Sequence, residues 1–357
     1  MQIQEQYIKR CLELAKQGKG CVAPNPMVGA VLVYNDRIIG EGWHQQYGQA
    51  HAEVNCLASV KEEDKGLISQ STMYVSLEPC AHHGNTPPCA ERLVAESVKK
   101  VVVCNIDPNP KVNGGGVKIL EQAGVEVVSR VLEEEGLWLN RRFFTAMEKK
   151  VPYVILKWAQ TRSGFIAPAD YTRTQITGAS SMELVHKWRT EEQAILVGYN
   201  TALHDNPSLT ARLWKGKDPL RIVIDKDLSL PQSHKLFDSK TKTWVINCEQ
   251  EEEKGNLIYK KIEEGSDLPK VICQLLVKEG IQSLIVEGGA KLLNQFIETG
   301  LWHEARVFVG NDNISDGIKA PQLRNEKRLY TTSIGEDRLT VSANIDNPFV
   351  YREGWSL

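Results

Sequence analysis

The sequence predicts an α/β fold divided into two domains. The chain of 357 residues is longer than a typical single domain, and short apolar runs alternate along it with helix-like segments. The alternation stops in a charged segment that ends with EKK, and it resumes with a new apolar run, PYVILKWA. We therefore predict one domain at residues 1–149 and a second at 150–357.

The first half begins with a helix, because Tyr7, Cys11, Leu14 and Ala15 recur at helical spacing. Two apolar runs then flank Asn35–Asp36, a pattern typical of a β-hairpin. The remaining elements are a helix from about His51, the strand TMYVSL, a helix from about Pro88, the strand KKVVVCNI and a glycine-rich turn, NGGG, before VKILEQAGVEVV.

The second half repeats the alternation, which predicts a second α/β layer. After PYVILKWA, the strands are AILVG, LRIVID, TWVIN, SLIVEGG and EARVFVG, and the helices are KVICQLLVKEG and AKLLNQFIE. The two glycines in VEGGAKLL stand between a strand end and a helix start, where backbone amides can bind a phosphate. The full G-x-G-x-x-G dinucleotide motif is missing there.

Composition and charge exclude several classes of protein. The net charge is −2, and the first 150 residues hold 17 basic and 18 acidic side chains, which argues against binding to tRNA or DNA. No run of about 18 apolar residues occurs, and the start MQIQEQYIKR lacks the apolar core of a signal peptide. We therefore expect a cytoplasmic protein without membrane contact, whose eight cysteines are reduced thiols or metal ligands.

Three residues of the first half match the needs of a catalytic zinc ion. Such an ion takes three nitrogen or sulfur ligands and leaves one position open for water, and His51, Cys80 and Cys89 supply that set. Each cysteine follows a proline, which predicts a helix start that favours the thiolate. His82 and His83 are competing ligands.

Glu53 completes the pattern as a carboxylate that does not bind the metal. Zinc lowers the pKa of its bound water, and the carboxylate moves a proton from that water to the leaving nitrogen. The order H-x-E, P-C and a second cysteine is typical of nucleobase deaminases, although eight residues separate the two cysteines here. Residues two apart on a helix point to different sides. For His51 and Glu53 to reach one metal ion, we therefore expect them at a helix start.

Two other classes remain open on these residues alone. One is a single-activity deaminase that acts on a free or nucleic-acid base and whose second domain only binds or supports. The other is a zinc-binding module without enzymatic activity, in which His82 fills the fourth position. A carboxylate beside an open metal position would have no role in such a module.

The longer motifs EPCAHHGNTPPC, APNPMVGAV, GEGWH, ILVGYNTALHDNPSLTAR and LIVEGGAKLL resemble the bifunctional deaminase-reductases of riboflavin biosynthesis over nearly the whole chain. The resemblance implies a cytidine-deaminase-like three-layer α/β/α domain followed by a dihydrofolate-reductase-like α/β domain. It implies zinc and NADPH as cofactors and a pyrimidine ribosyl phosphate as the small-molecule substrate. We further expect a homo-oligomer, either a dimer or a tetramer.

The resemblance also implies roles for individual residues. It assigns zinc to His51, Cys80 and Cys89, and proton transfer to Glu53. The positions implied to contact the deaminase substrate are Asn25, His44, His82 and Asn85. Those implied to contact the reductase substrate are Lys157, Arg189, Leu209, Arg212 and Glu287, where arginine can bind a phosphate as a bidentate fork. Those implied for the NADPH site are Thr201, Asp205, Gly288, Gly289 and Ala290.

Three positions depart from the family pattern. Asn85 stands where the family more often has a lysine or arginine, which removes charge assistance from a phosphate contact. Ser163 replaces a usual aspartate, and Gln175 replaces a common tryptophan. We expect weaker orientation of the reductase substrate and looser packing against the cofactor at the last two positions.

Overall fold

The computed structural model describes residues 3–81, 87–109, 112–311 and 314–355. The chain forms two compact units. The first comprises Met1–Lys150 together with Phe349–Leu357, and the second comprises Val151–Pro348. The tail Phe349–Leu357 thus belongs to the first unit, although the sequence boundary placed it in the second domain.

The first unit contains a five-stranded sheet. Its strands are β1 (Gly29–Tyr34), β2 (Arg37–Trp43), β3 (Thr72–Leu77), β4 (Lys100–Asn105) and β5 (Glu126–Val128). The order is β2-β1-β3-β4-β5, with β1 antiparallel to both neighbours and β3, β4 and β5 parallel. Asn35 and Asp36 have φ values of 45° and 59°, as the tight turn of the β1–β2 hairpin requires.

Helices cover both faces of this sheet. They are α1 (Ile3–Lys16), α2 (Ala52–Ala58), α3 (Cys89–Ala95), α4 (Gly115–Gln122), α5 (Glu133–Leu139) and α6 (Arg141–Lys149). On β1, Val31 packs in one apolar cluster with Ile8 of α1, whereas the next residue, Leu32, packs in another cluster with Cys56 of α2. Alternate strand residues therefore build two cores, and the three-layer α/β/α prediction is confirmed.

The second unit is built on a ten-stranded mixed sheet. Its strands and those of a separate pair are β6 (Tyr153–Gln160), β7 (Phe165–Pro168), β8 (Ala194–Val197), β9 (Leu220–Ile224), β10 (Thr243–Asn247), β11 (Glu252–Lys254), β12 (Leu257–Lys261), β13 (Ser283–Glu287), β14 (Glu304–Val309), β15 (Gly317–Lys319), β16 (Glu326–Ile334) and β17 (Asp337–Asn344). The large sheet has the order β11-β12-β10-β9-β8-β13-β6-β14-β17-β16, and β7 pairs with β15. The α-helices of this unit, within the described residues, are α7 (Ala179–Glu191), α8 (Tyr199–Asp205), α9 (Leu268–Lys278) and α10 (Ala290–Glu298).

The topology places a crevice at the carboxyl end of β13. After β6 the chain builds β8, β9, β10 and β12 outward, and it then returns to insert β13 between β8 and β6. These strands are parallel, so their carboxyl ends lie at one edge of the sheet. In open α/β sheets, ligands bind at such a reversal of strand order.

Candidate active sites

In the first unit, the structure brings together one histidine and two cysteines. His51 Nδ1 lies 3.3 Å from Cys89 Sγ and 3.6 Å from Cys80 Sγ. All three possible ligand atoms lie within 4.8 Å of one another. For zinc bonds of typical length in a tetrahedron, a nitrogen and a sulfur ligand are about 3.6 Å apart. The three side chains therefore fit a zinc ion.

The secondary-structure positions of the three candidate ligands agree only in part with the sequence prediction. His51 immediately precedes α2, and Cys89 is the first residue of α3, as expected. Cys80, however, lies in the loop after β3, so its predicted position at a helix start is wrong. The backbone nevertheless reaches its sulfur, because the amide of Cys89 donates a hydrogen bond of 3.2 Å to Cys80 Sγ.

The two thiols are electrostatically coupled. A hydrogen bond from Cys89 lowers the pKa of Cys80 to about 4, against the opposing effect of burial, and His51 lowers it further. The same bond raises the pKa of Cys89. Because a thiolate is the form that binds metal, Cys80 carries a ligand-ready sulfur.

Glu53 is buried beside this group, with 3% of its surface exposed. It lies in the first turn of α2, directly after the extended backbone of His51, so the expected helix-start geometry is present. Burial raises the pKa of Glu53 to about 7, although the charge of His51 opposes this. A carboxyl group with a pKa near neutrality can both accept and return a proton.

Asn25 and His44 lie against the same group. His44 Nε2 is 3.1 Å from the amide nitrogen of Asn25, and its Nδ1 is 3.0 Å from the carbonyl oxygen of Ala50. Since a carbonyl can only accept, Nδ1 carries the hydrogen and Nε2 accepts from Asn25. The ring of His44 packs edge-on to that of His51, with centroids 5.5 Å apart. Burial lowers the pKa of His44, which keeps this ring neutral.

The other two deaminase residues implied by the resemblance, His82 and Asn85, lie outside the described residues. The same holds for His83, the second competing ligand. Among the residues that the structure describes, His51, Cys80 and Cys89 are the group whose possible ligand atoms lie close enough together to hold a metal ion.

In the second unit, a cavity of about 1040 Å³ opens at the carboxyl ends of the parallel strands. It brings together most of the residues predicted for the reductase. These are Lys157, Thr201, Asp205, Arg189, Leu209, Glu287, Gly288, Gly289 and Ala290. Arg212 is exposed, donates to Thr210 Oγ1 at 3.0 Å, and does not occur among the described residues that line the cavity.

A charged triad lies in the cavity wall. Lys157 and Glu287 are neighbours in the parallel register of β6 and β13, and Lys157 Nζ is 3.8 Å from Glu287 Oε2. Arg189 donates to both oxygens of Glu287, at 3.2 and 2.8 Å, and also to the carbonyl oxygen of Thr210. The guanidinium group of Arg189, which we expected to bind a substrate phosphate, is therefore paired with Glu287.

The charges of this triad shift each other's titration. Burial raises the pKa of Glu287, but the cations Arg189 and Lys157 outweigh it and lower the pKa to about 2. Burial lowers the pKa of Lys157, and the charge of Glu287 only partly compensates. Glu287 is therefore an anion at neutral pH, and Lys157 is a cation that gives up its proton more readily than an exposed lysine.

Two helix starts converge on the predicted cofactor residues. The amide of Gly289, which precedes α10, donates to Thr201 Oγ1 on α8 at 2.8 Å. A Cβ at Gly288 would lie 3.4 Å from the amide nitrogen of Gly198, so the start of α10 passes close to the start of α8 at this point. Asp205 ends α8, and burial raises the pKa of its carboxyl group.

The departures from the family pattern have separate locations. Gln175 lines the cavity and donates to the carbonyl oxygen of Thr177 at 3.2 Å. Ser163 lies in a turn, where its hydroxyl donates to the carbonyl oxygen of Ile314 at 2.8 Å and lies 2.9 Å from Thr161 Oγ1. This serine thus closes a loop, and it is not among the described residues that line the cavity.

Three cations that the sequence patterns did not indicate also line the cavity: Arg173, Lys226 and Lys291. The position of Lys226 could have been anticipated, because it follows the strand LRIVID at its carboxyl end. Lys291 lies in the first turn of α10. Arg173 lies in an irregular segment without a periodic pattern.

Comparisons with known proteins match both halves of the chain. A family model described as the cytidine and deoxycytidylate deaminase zinc-binding region matches residues 1–105, and one described as the RibD C-terminal domain matches residues 152–311. The riboflavin biosynthesis protein RibD of Aquifex aeolicus is 38% identical over 90% of this chain and 91% of its own length. RibD of Escherichia coli is 35% identical, covering 85% and 87%.

Solved structures give the same result. RibD of Acinetobacter baumannii aligns with a TM-score of 0.86 and 34% identity, covering 96% of this chain and 98% of its own. The diaminohydroxyphosphoribosylaminopyrimidine deaminase/5-amino-6-(5-phosphoribosylamino)uracil reductase of Thermotoga maritima aligns with a TM-score of 0.88 and 33% identity, covering 96% and 99%. With relatives this similar over nearly its full length, the chain belongs to the RibD family of riboflavin biosynthesis proteins.

Proposed function

We propose that this chain is a bifunctional enzyme that catalyses two successive steps of riboflavin biosynthesis. Residues 1–149 hydrolytically deaminate 2,5-diamino-6-ribosylamino-4(3H)-pyrimidinone 5′-phosphate. Residues 150–357 then reduce the ribose of the product to a ribityl chain with NADPH. The observation that carries the proposal is the His51–Cys80–Cys89 group with buried Glu53 beside it, in a chain whose second unit has a separate charged cavity.

In the deaminase step, His51, Cys80 and Cys89 would hold Zn²⁺. Bound there, the ion supplies the Lewis acidity that brings the pKa of a water molecule towards neutrality. Glu53 accepts a proton from the attacking water and returns it to the departing nitrogen, which leaves as ammonia. The pKa of Glu53, about 7, suits both transfers.

Asn25 and His44 position the pyrimidine in this scheme. The Asn25 amide donates to neutral His44, and this leaves the Asn25 carbonyl oxygen to accept from an amino group of the substrate. We extend the family roles of substrate contact to His82 and Asn85. Without a positive charge, Asn85 binds a phosphate through neutral hydrogen bonds.

In the reductase step, NADPH bound in this cavity would supply the hydride that C1′ of the ribose accepts. The bond between C1′ and the ring oxygen breaks, and that oxygen takes up a proton. Lys157 is our candidate donor, because it is a cation in the cavity wall with a lowered pKa. Glu287 and Arg189 hold Lys157 in place, and Leu209 and Arg212 join them as substrate contacts.

The cofactor site is proposed at the two helix starts. Gly288, Gly289 and Ala290 line the cavity where α10 begins, and a helix N-terminus suits a cofactor phosphate. Thr201 fixes this backbone through its bond to Gly289. Asp205 accepts hydrogen bonds from cofactor hydroxyl groups at the end of α8.

One experiment separates this function from a single-activity deaminase with an impaired second domain. The zinc-loaded protein is mixed with the pyrimidine phosphate and NADPH, and ammonia release and loss of NADPH absorbance are followed in parallel. We expect both signals, with reduction following deamination. Ammonia release without NADPH oxidation, even when the deaminated intermediate is supplied, would leave a deaminase alone.

The proposal also covers the cellular location and the oligomeric state of the enzyme. No helix in the described ranges has the length and apolar character needed to cross a membrane. We place the enzyme in the cytoplasm, acting on a small-molecule substrate and assembled as a homo-oligomer, either a dimer or a tetramer. Size-exclusion chromatography with light scattering measures that state, and a monomer would contradict it.

A further inference from the structure

The glycine-rich turn NGGG has no part in the proposed chemistry, yet it lies against the segment that carries a zinc ligand. A Cβ added at Gly116 would lie 1.9 Å from the carbonyl oxygen of Pro79. A Cβ at Gly115 would lie 3.0 Å from Ala81 Cβ. Pro79 and Ala81 flank Cys80, so the turn packs on both neighbours of this cysteine. Only glycine permits that approach at Gly116, because a side chain would overlap the backbone of Pro79.

A second contact joins the same two segments. Glu78 is buried, with 3% of its surface exposed, and its carboxylate accepts three backbone hydrogen bonds from the segment 107–117. The donors are the amides of Asp107 at 3.2 Å, Gly114 at 2.9 Å and Val117 at 3.1 Å. The amide of Glu78 itself donates to the carbonyl oxygen of Asn105 at 2.9 Å, continuing the β3–β4 pairing.

This carboxylate replaces a missing helix cap. The residue before α4 is Gly114, which has φ of 78° and no side chain to accept the first amides of the helix. Glu78 accepts two of them, at the cap position and in the first turn, and its negative charge is favourable at a helix N-terminus. The cap thus comes from a residue two positions before Cys80, so helix and ligand loop are fixed to each other.

We propose that Glu78 and residues Gly114–Val117 form a clamp that positions Cys80 for metal binding. The proposal rests on the zinc site proposed above and adds positioning residues to it. Cys80 lies in a loop. The described residues around it, 78–81, form no helix that could hold its backbone in place. The clamp supplies that rigidity from α4, and displacing it moves one of three ligands away from His51 and Cys89.

The test uses the full-length chain stripped of metal. Zinc affinity is measured by competition with a chromogenic chelator, and the absorption bands of the Co²⁺-loaded protein report the geometry around the thiolates. One variant is Glu78→Gln, in which a side-chain NH₂ group replaces one of the oxygens that accept from backbone amides. The other is Gly116→Ala, in which the new Cβ overlaps the carbonyl oxygen of Pro79. The matched control is Gly124→Ala at the other end of α4, where φ is 82° and a new Cβ meets no atom within 4 Å.

We expect both clamp variants to weaken zinc binding about 10- to 100-fold, as loss of outer-shell support typically does, and to change the cobalt spectrum. The control should lose thermal stability and keep the wild-type affinity and spectrum. Wild-type affinity and spectrum in both clamp variants would overturn the clamp alone. A wild-type chain that binds no zinc would instead overturn the proposed function, and the clamp with it.

If the two clamp variants fail to fold, Gly115→Ala serves as the milder displacement. Its new Cβ would meet Ala81 Cβ at 3.0 Å, a contact that a small shift of the loop relieves. A weaker zinc affinity with an altered cobalt spectrum supports the clamp. An affinity and spectrum equal to those of the wild type overturn it.

Discussion

At the scale of single residues, the position of Glu53 depends on where a helix begins. His51 has extended backbone angles, and α2 starts at the next residue, so the imidazole and the carboxylate leave the chain in directions that a continuous helix would not allow. The imidazole faces the two thiols, and the carboxylate is buried beside them. The proposed proton carrier and the proposed histidine ligand therefore both lie at the start of α2.

We predict that Glu53→Gln keeps its zinc and loses ammonia release by about 10²-fold or more, the usual contribution of a general acid-base group. The amide has nearly the shape of the carboxylate but cannot accept and return a proton. Zinc content is measured by metal analysis and ammonia by a coupled assay, with Glu121→Gln on the exposed face of α4 as control. Deamination at the parental rate would make Glu53 a structural residue.

A second residue-scale prediction concerns Glu287, whose pKa of about 2 lies below its ordinary value of 4.5. A lowered folded-state pKa stabilises the protein above about pH 4.5, and this contribution is lost as the pH falls towards 2. Glu287→Gln removes the contribution. The difference in free energy of unfolding between wild type and variant should therefore shrink between pH 5 and pH 3, as measured by urea denaturation. A constant difference would contradict the paired carboxylate.

At the scale of secondary-structure elements, short sequence patterns predicted the strands and turns that neighbouring residues determine. The predicted strand TMYVSL coincides with β3, and the predicted hairpin turn coincides with the two positive φ values at Asn35 and Asp36. The hairpin of β16 and β17 was not predicted, because β16 is mostly exposed and lacks an apolar alternation. The Arg189–Glu287 pair was also missed, because its members lie 98 positions apart in the sequence and no spacing rule links them.

The C-terminal tail was assigned to the wrong unit for a similar reason. Its contacts are made with helices far back in the chain: the ring of Tyr351 is 5.1 Å from that of Trp138, and Arg352 pairs with Glu134. Phe349 is buried as well, with 8% of its surface exposed. A boundary drawn from the run of strands and helices cannot detect a returning segment.

We predict that a chain ending at Pro348 has a less stable first unit. Burial of a phenylalanine side chain alone contributes about 1.5–3 kcal/mol, so the unfolding transition of this unit should shift to lower temperature. Zinc release on heating reports that transition. Arg352→Ala, which removes only an exposed ion pair, should shift it far less. An unchanged transition in the truncated chain would show that the tail adds nothing to the unit.

At the scale of the whole molecule, each unit builds its site at the carboxyl ends of parallel strands. Cys80 follows β3 by a few residues, and Glu287 and Lys226 lie at or just beyond the ends of β13 and β9. Lys157 lies inside β6, level with Glu287 in the strand register. The zinc motif indicated Cys80, and the family resemblance implied Lys157 and Glu287, whereas no sequence pattern indicated Lys226. Which polar residues then pair with each other depends on strand order, and that requires the structure.

The two activities should respond to mutation separately, because their sites lie in different compact units and share no residue. Asp205→Ala should weaken NADPH binding by about 10-fold or more, since a hydrogen bond to a charged group contributes about 1.5–3 kcal/mol. Ammonia release by this variant should equal that of the wild type.

Glu53→Gln provides the reciprocal control, and it should still oxidise NADPH when the deaminated intermediate is supplied. NADPH binding is measured by fluorescence titration and each turnover by its own assay. If Asp205→Ala slowed ammonia release as much as NADPH oxidation, the two units would have to be energetically coupled, and the division of the chain into independent activities would be refuted.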